Sequence, residues 1–342
     1  MAGGSFLLYL FYLLQMLSFD MFRSDVRSYW WQSFEWRSPF SAWWVPGYSL
    51  VIALVRGLTL GKLPSLVVMV AICAAAYLIA VSAIYRIAKE AGAHSAFELG
   101  LLFALFPLVG LTYAAYPISD IAAIALFVLA VLEMQRGHWG RFTLWSALAL
   151  LFHKVMWFFV PPLLLTAFIQ HREARRVIPL AVVPLLLWIA GGAIKFGSWL
   201  WFIRFNYETH TVMKQGLPVL GGLVETLQVH STAKLGKGVV ILTTLAAALV
   251  TAVLCARRRL WAGLWISLVV AFLVSAVNAY EIWIAVRYGK LLVVAWCLLA
   301  GASQNSRRPP AMGLAGVAVL LLASNLAFGY YLAHYFHETT PH

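Results

Sequence analysis

Along the chain, apolar residues run in long unbroken stretches rather than alternating with polar ones. Alternation at every second residue would mark half-buried strands; continuous runs separated by short charged breaks mark helices that bury all or most of their surface. Eleven such segments are predicted, at about 3–19, 64–86, 96–114, 118–134, 141–152, 155–170, 177–196, 238–255, 260–278, 288–301 and 311–333. A bilayer core of about 30 Å takes around 20 helical residues, so several of these are short. The pair 141–152 and 155–170 is parted only by His153 and Lys154. A broken helix at membrane depth is tolerated where it is buried in protein or lines a wet cavity, so this break points to a functional cavity.

Composition agrees with the pattern. Of 342 residues, 63% are hydrophobic and 11% charged, and the mean hydropathy is +0.86. A soluble domain carries about 25% charged residues to solvate its surface. The expectation is an all-α, polytopic integral membrane protein with about 11 transmembrane helices and no soluble domain. It would form a single transmembrane domain over 1–342, with a core over 1–300 and long outer loops at 20–63 and 197–237. A loop, a last helix and an outer tail follow over 301–342. The N-terminus has no basic leader region or small-residue cleavage signature and reads as a retained helix.

The net charge of +13 is compatible with arginine-rich inner loops and gives no nucleic-acid spacing. With the N-terminus inside, twelve basic residues fall in short connections on one face: Arg86, Lys89, Arg136, Arg141, Arg172, Arg175, Arg176, Arg257, Arg258, Arg259, Arg307 and Arg308. This is the bias that sets membrane orientation. Eight of the twelve acids then fall on the other face, which is where chemistry is expected: Asp20, Asp25, Glu35, Asp120, Glu208, Glu225, Glu281 and Glu338. Cys73, Cys255 and Cys297 have no paired spacing, which argues against a disulfide framework or a metal knuckle. No internal repeat is apparent, and that weakens a transporter built from inverted repeats.

Candidate chemistry concentrates on the outer face. Asp20 and Asp25 follow the first helix; they are candidate bases, or else loop acids paired with Arg23 or Arg27. Tyr29 stands one helical turn beyond Asp25, and Trp44 closes a run of five tryptophans that suits either an interfacial belt or sugar stacking. Ser119 is a candidate N-cap and Asp120 a first-turn acid favoured by the helix dipole; a polar cavity wall is the functional alternative. Lys154 must reach water or an anion, because an unpaired lysine is expensive to bury in a membrane. Arg287, with Lys290 behind it, offers a fork that matches phosphate, or a partner for Glu281. Glu208 and His210 lie in the second outer loop without a ligand pattern, so no metal is expected.

Taken in order, SDVRSYW…SPFSAWWVPGYSLVIALV resembles the glycosyltransferase C superfamily of polytopic enzymes that use lipid-phosphate sugars. AAYPISDIAAIALFVLAVL, HKVMWFFVPPLLL and VRYGKLL resemble successive elements of the GPI mannosyltransferase family that adds the second mannose. Asp120 departs from the glutamate more usual there. The resemblance implies a polyprenyl-phosphate sugar donor, mannose by that likeness, and a glycolipid or glycan acceptor. It implies inversion with Asp25 or Asp20 as general base, and donor phosphate held by Arg287, Lys154 and Lys290. Tyr29, Trp44, Asp120, His153, Glu208 and His210 would line the cavity. A divalent metal is not required. The site would face outward or to the lumen, in a bacterial inner or plasma membrane or the endoplasmic reticulum. The competing readings are a lipid or solute transporter, a membrane acyltransferase with His153 as base, and a non-catalytic subunit on a glycosyltransferase scaffold.

Overall fold

The computed structural model describes residues 45–59, 65–105, 118–202, 232–276 and 287–303, with isolated helical positions at 7, 10, 319, 320, 323, 326 and 327. The described residues are helical and contain no strand. The helices are α1 (Gly47–Leu58), α2 (Ser65–Glu90), α3 (Ala96–Leu105), α4 (Ser119–Gln135), α5 (Trp139–Phe152), α6 (Met156–Gln170), α7 (Val183–Phe196), α8 (Thr232–Arg257), α9 (Trp261–Ala276) and α10 (Leu292–Ser303). Among the described residues, the stretches Leu66–Glu90 and Gly238–Arg257 are long and apolar enough to cross a membrane. At 1.5 Å per residue, 25 residues reach about 37 Å, enough for the hydrocarbon layer. The expected segments 3–19 and 311–333 lie largely outside the described residues.

Two expectations need correction. Within 20–63, expected to be an outer loop, the chain forms α1 (Gly47–Leu58), opened by Pro46. Segment 177–196 is not one helix: a 3-10 turn over Ile178–Ala181 precedes α7, because Pro179 and Pro184 each remove a backbone donor. The predicted segment 155–170 stands as α6, which runs through Pro161 and Pro162 to Gln170.

Packing divides the chain into two compact units, with the boundary inside α2. One comprises Met1–Ala83 and Thr112–Lys214, the other Ile84–Leu111 and Gln215–His342. In the first unit α4 and α5 form a hairpin. Its turn uses Gly137 at φ +72°, with His138 N–H donating to Glu133 O at 2.9 Å and Gly137 N–H to Met134 O at 3.1 Å. That is the paired closure of a Schellman end, which satisfies carbonyls the helix leaves open. The α8–α9 hairpin of the second unit closes the same way, but its left-handed position is Arg259 at φ 56°.

Outward faces of the helices are apolar: Leu186, Leu187 and Ile194 on α7, Leu165 and Ile169 on α6, and Leu249 and Val253 on α8 are all exposed. Exposed aliphatic residues at this density suit a lipid solvent. The interior includes large buried rings, among them Tyr48, Phe127, Phe142, Phe159 and Trp296. Cys73, Cys255 and Cys297 are free and buried.

Candidate functional site

The site in the first unit begins at the break between α5 and α6. His153 takes extended backbone angles (φ −153°, ψ 135°) and ends α5. Its Nδ1 accepts the Val155 N–H at 3.2 Å, satisfying a donor at the start of α6. The Trp157 indole N–H donates to Leu150 O at 2.9 Å, covering a carbonyl that the end of α5 leaves without a helical partner. Trp157 also meets Trp188 at 6.0 Å and Phe202 at 5.3 Å between ring centroids. Trp188 packs on Trp201 at 4.8 Å in the cluster that includes Val45 and Ala193. The break is therefore a braced corner, held by two side-chain hydrogen bonds and an aromatic cluster.

The other half of the site comes from the start of α4. Tyr48 of α1 is fully buried; its hydroxyl donates to Met69 O at 3.4 Å and touches Cys73 Sγ at 3.5 Å. The Cys73 thiol donates to Ile118 O at 3.3 Å. Ile118, in extended backbone, is the N-cap of α4, so Ser119 is not the cap the sequence suggests but the first helical residue. Asp120 lies in the first turn, where the helix dipole favours its charge, and is 4% exposed. Gly47 lets α1 approach α5: a Cβ there would stand 2.7 Å from Leu151 O and from Phe152 Cδ2.

These constraints bring Asp120 Oδ1 to 3.8 Å from His153 Nε2, both side chains being largely buried. The distance suits an ion pair with a charged imidazole and is too long for a direct hydrogen bond. With Nδ1 accepting from Val155, a neutral ring carries its proton on Nε2, facing the carboxylate. A base in a Ser–His–Asp arrangement needs one nitrogen on the carboxylate and the other's lone pair on the nucleophile. Here that second nitrogen accepts a backbone N–H, which counts against His153 as an acyltransferase base. The pair instead presents a donor and an acceptor side by side, suited to hydroxyl groups. Lys154, next in sequence, carries a cation at the same corner.

Arg287 and Lys290 belong to the second unit. Arg287 is half-buried, and Lys290 lies in the 3-10 turn Gly289–Leu291. Lys290 is 5% exposed, with Nζ 5.7 Å from the Phe103 ring centroid, a cation–π contact in an apolar setting. Asp20, Asp25, Tyr29, Trp44, Glu208 and His210 lie outside the described residues. Among the described residues, no group of three or more metal-ligating side chains occurs.

Sequence reading missed Trp157, Trp188 and Trp201, which looked like generic apolar content, and it missed Glu133. The Glu133 carboxylate is 5% exposed and gathers Arg136 at 3.0 Å, His138 at 2.7 Å and Arg141 at 3.9 Å. The available signal was a lone acid set three, five and eight residues ahead of basic side chains in an otherwise basic turn.

No protein-family model, no curated protein and no solved structure matches the chain.

Proposed function

We propose that the chain is a multi-pass membrane glycosyltransferase of glycosyltransferase C type, with about 11 membrane segments. It would move a sugar, mannose by resemblance, from a polyprenyl-phosphate donor to a lipid-linked or glycan acceptor. The observation that carries this reading is the buried Asp120–His153 pair at a braced helix break bearing Lys154. A carboxylate and an imidazole inside an apolar helical protein are costly, and ionisable groups in such places mark functional sites. The side-by-side donor and acceptor fit a polyhydroxylated ligand, and the adjacent lysine fits its phosphate.

In the proposed reaction Asp25 takes the proton of an acceptor hydroxyl while that oxygen attacks the anomeric carbon. The bond from that carbon to the phosphate oxygen breaks, and polyprenyl phosphate leaves with the electron pair. One displacement inverts the centre. Asp120 and His153 hold sugar hydroxyls, and positive charge stabilises the departing phosphate. Lys154 is the cation at this corner that the resemblance assigns to that role.

The test is transfer by the purified chain from synthetic polyprenyl-phosphate sugars to a membrane lipid extract, for wild type, Asp25→Asn and Asp120→Asn, with thermal stability measured alongside. Loss of transfer in folded Asp25→Asn supports it as base. Full activity in that variant moves the role to Asp20. No transfer by wild type with any donor overturns the enzyme reading in favour of a transporter or a non-catalytic subunit.

A further inference from the structure

The end of the first unit away from the Asp120–His153 pair carries a second built cluster. Buried Glu133 fixes the α4–α5 turn by holding Arg136 and His138 at hydrogen-bond distance and drawing Arg141 to 3.9 Å. Trp139, in the first turn of α5, packs its ring against His171 at 4.5 Å between centroids and 36° between planes. That contact joins the α4–α5 turn to the end of α6, where Arg172, Arg175 and Arg176 follow in an exposed connection. Arg175 is turned back onto α6, donating from Nε to Phe168 O at 2.9 Å and from Nη2 to Ile169 O at 3.3 Å, with its guanidinium 5.7 Å from the Phe168 ring centroid. Five arginines thus share one end with two glutamates, Glu133 and Glu173. Glu133 is spent on the α4–α5 turn, and Arg172 and Arg176 are exposed.

Directly beside this charge the surface is aliphatic and aromatic. Phe168, Ile169 and Leu165 on α6 and Leu180 in the following turn are exposed large hydrophobic residues. Arg175 stands at the boundary, its guanidinium on the Phe168 and Ile169 carbonyls and over the Phe168 ring. A surface positive on one side and apolar on the other matches an amphiphile with an anionic head and acyl tails. A soluble anion would use only the positive half. Basic pockets at helix ends bind anionic headgroups by this complementarity.

We propose that this end of the first unit is a binding site for one anionic phospholipid. Its phosphate would sit among Arg141, Arg172 and Arg176, and its chains would lie along Leu165, Phe168 and Ile169. The inference rests on the membrane reading of the chain and is independent of the proposed sugar transfer.

The experiment uses the full chain in nanodiscs of phosphatidylcholine alone and of equal parts phosphatidylcholine and phosphatidylglycerol. Thermal unfolding and retention of phosphatidylglycerol by native mass spectrometry are read for wild type and the double variant Arg172→Gln/Arg176→Gln. The control is Arg257→Gln/Arg258→Gln, which removes as many exposed charges from the second unit. Wild type and control should unfold at a higher temperature with phosphatidylglycerol and retain it. Arg172→Gln/Arg176→Gln should lose that preference, with binding weaker by about fivefold per arginine removed. Arg141→Gln gives a milder loss and serves if the double variant does not fold. Equal stabilisation of the variant and wild type overturns the proposal. So does an equal loss in the control, which would show general surface charge, or the same stabilisation from inorganic phosphate in phosphatidylcholine, which would show a soluble-anion site.

Discussion

Asp120 Oδ1 and His153 Nε2 stand 3.8 Å apart, one from the first turn of α4 and the other from the residue that ends α5. Because α4 and α5 form an antiparallel hairpin, the start of one and the end of the other must lie at the same end of that hairpin. The pair is a consequence of hairpin geometry, and its polarity is opposite to the apolar packing around it.

His153→Ala should destabilise the folded chain by about 1–3 kcal/mol, because it removes the acceptor of the Val155 N–H and the neighbour of a buried carboxylate. His153→Asn, which can still accept from that N–H, should recover part of the stability without restoring sugar transfer. Thermal unfolding in detergent and the transfer assay separate the two effects; full transfer in folded His153→Asn would remove the imidazole from the site.

Gly192 lies against the indole of Trp201, and a Cβ at that position would overlap the ring. Trp201 cannot swing aside without breaking its donation from Nε1 to Ile189 O at 3.1 Å. Gly192→Ala is expected to destabilise by about 1–3 kcal/mol through overpacking. Gly57→Ala in α1 meets no atom within 4 Å and should instead stabilise by about 0.5–1 kcal/mol. Opposite shifts in unfolding temperature for these two alanines check both statements.

In the second unit the Trp296 indole N–H donates to Thr251 Oγ1 at 3.0 Å, and that hydroxyl in turn donates to Ala247 O at 2.6 Å. Thr251→Val keeps the shape and leaves a buried N–H without its acceptor. Hydrogen bonds between helices in apolar surroundings are worth about 0.6 kcal/mol on average and up to about 1.7. A double-mutant cycle with Trp296→Phe should return a coupling in that range; zero coupling would show that the contact is packing alone.

Arg259 is a non-glycine residue at φ 56°, where the turn after α8 requires left-handed backbone. Arg259→Gly relieves a steric penalty of about 1 kcal/mol and should raise the unfolding temperature slightly, although it removes a positive charge. A fall in stability would mean that the guanidinium contributes more than the backbone strain takes away.

The positions of most helices could be read directly from apolar runs, because these helices are apolar on their outward faces as well as their buried ones and so show no polar alternation. Helix α1 escaped that reading: its stretch is too short to span, and packing against α5 through Gly47 and Tyr48, with the Tyr48 hydroxyl on α2, gives it a buried face. Ser119 looked like a cap because serine before an apolar run usually is one, yet the backbone turns helical one residue earlier. His153 and Lys154 were visible as polar residues in an apolar stretch, which is why the break could be placed.

Composition and pattern alone therefore determined that the chain is helical, with stretches long and apolar enough to cross a membrane. Those properties depend on local sequence and on transfer from water, which neighbours in the chain suffice to express. Which polar residues meet was decided only by tertiary structure. Asp120 reaches His153 because the Tyr48–Cys73–Ile118 contacts fix the start of α4. Glu133 gathers nearby Arg136, His138 and Arg141 because the left-handed turn at Gly137 folds them back onto it. Trp157, Trp188 and Trp201 form one cluster because side chains well separated in sequence share a small volume where an empty space costs free energy.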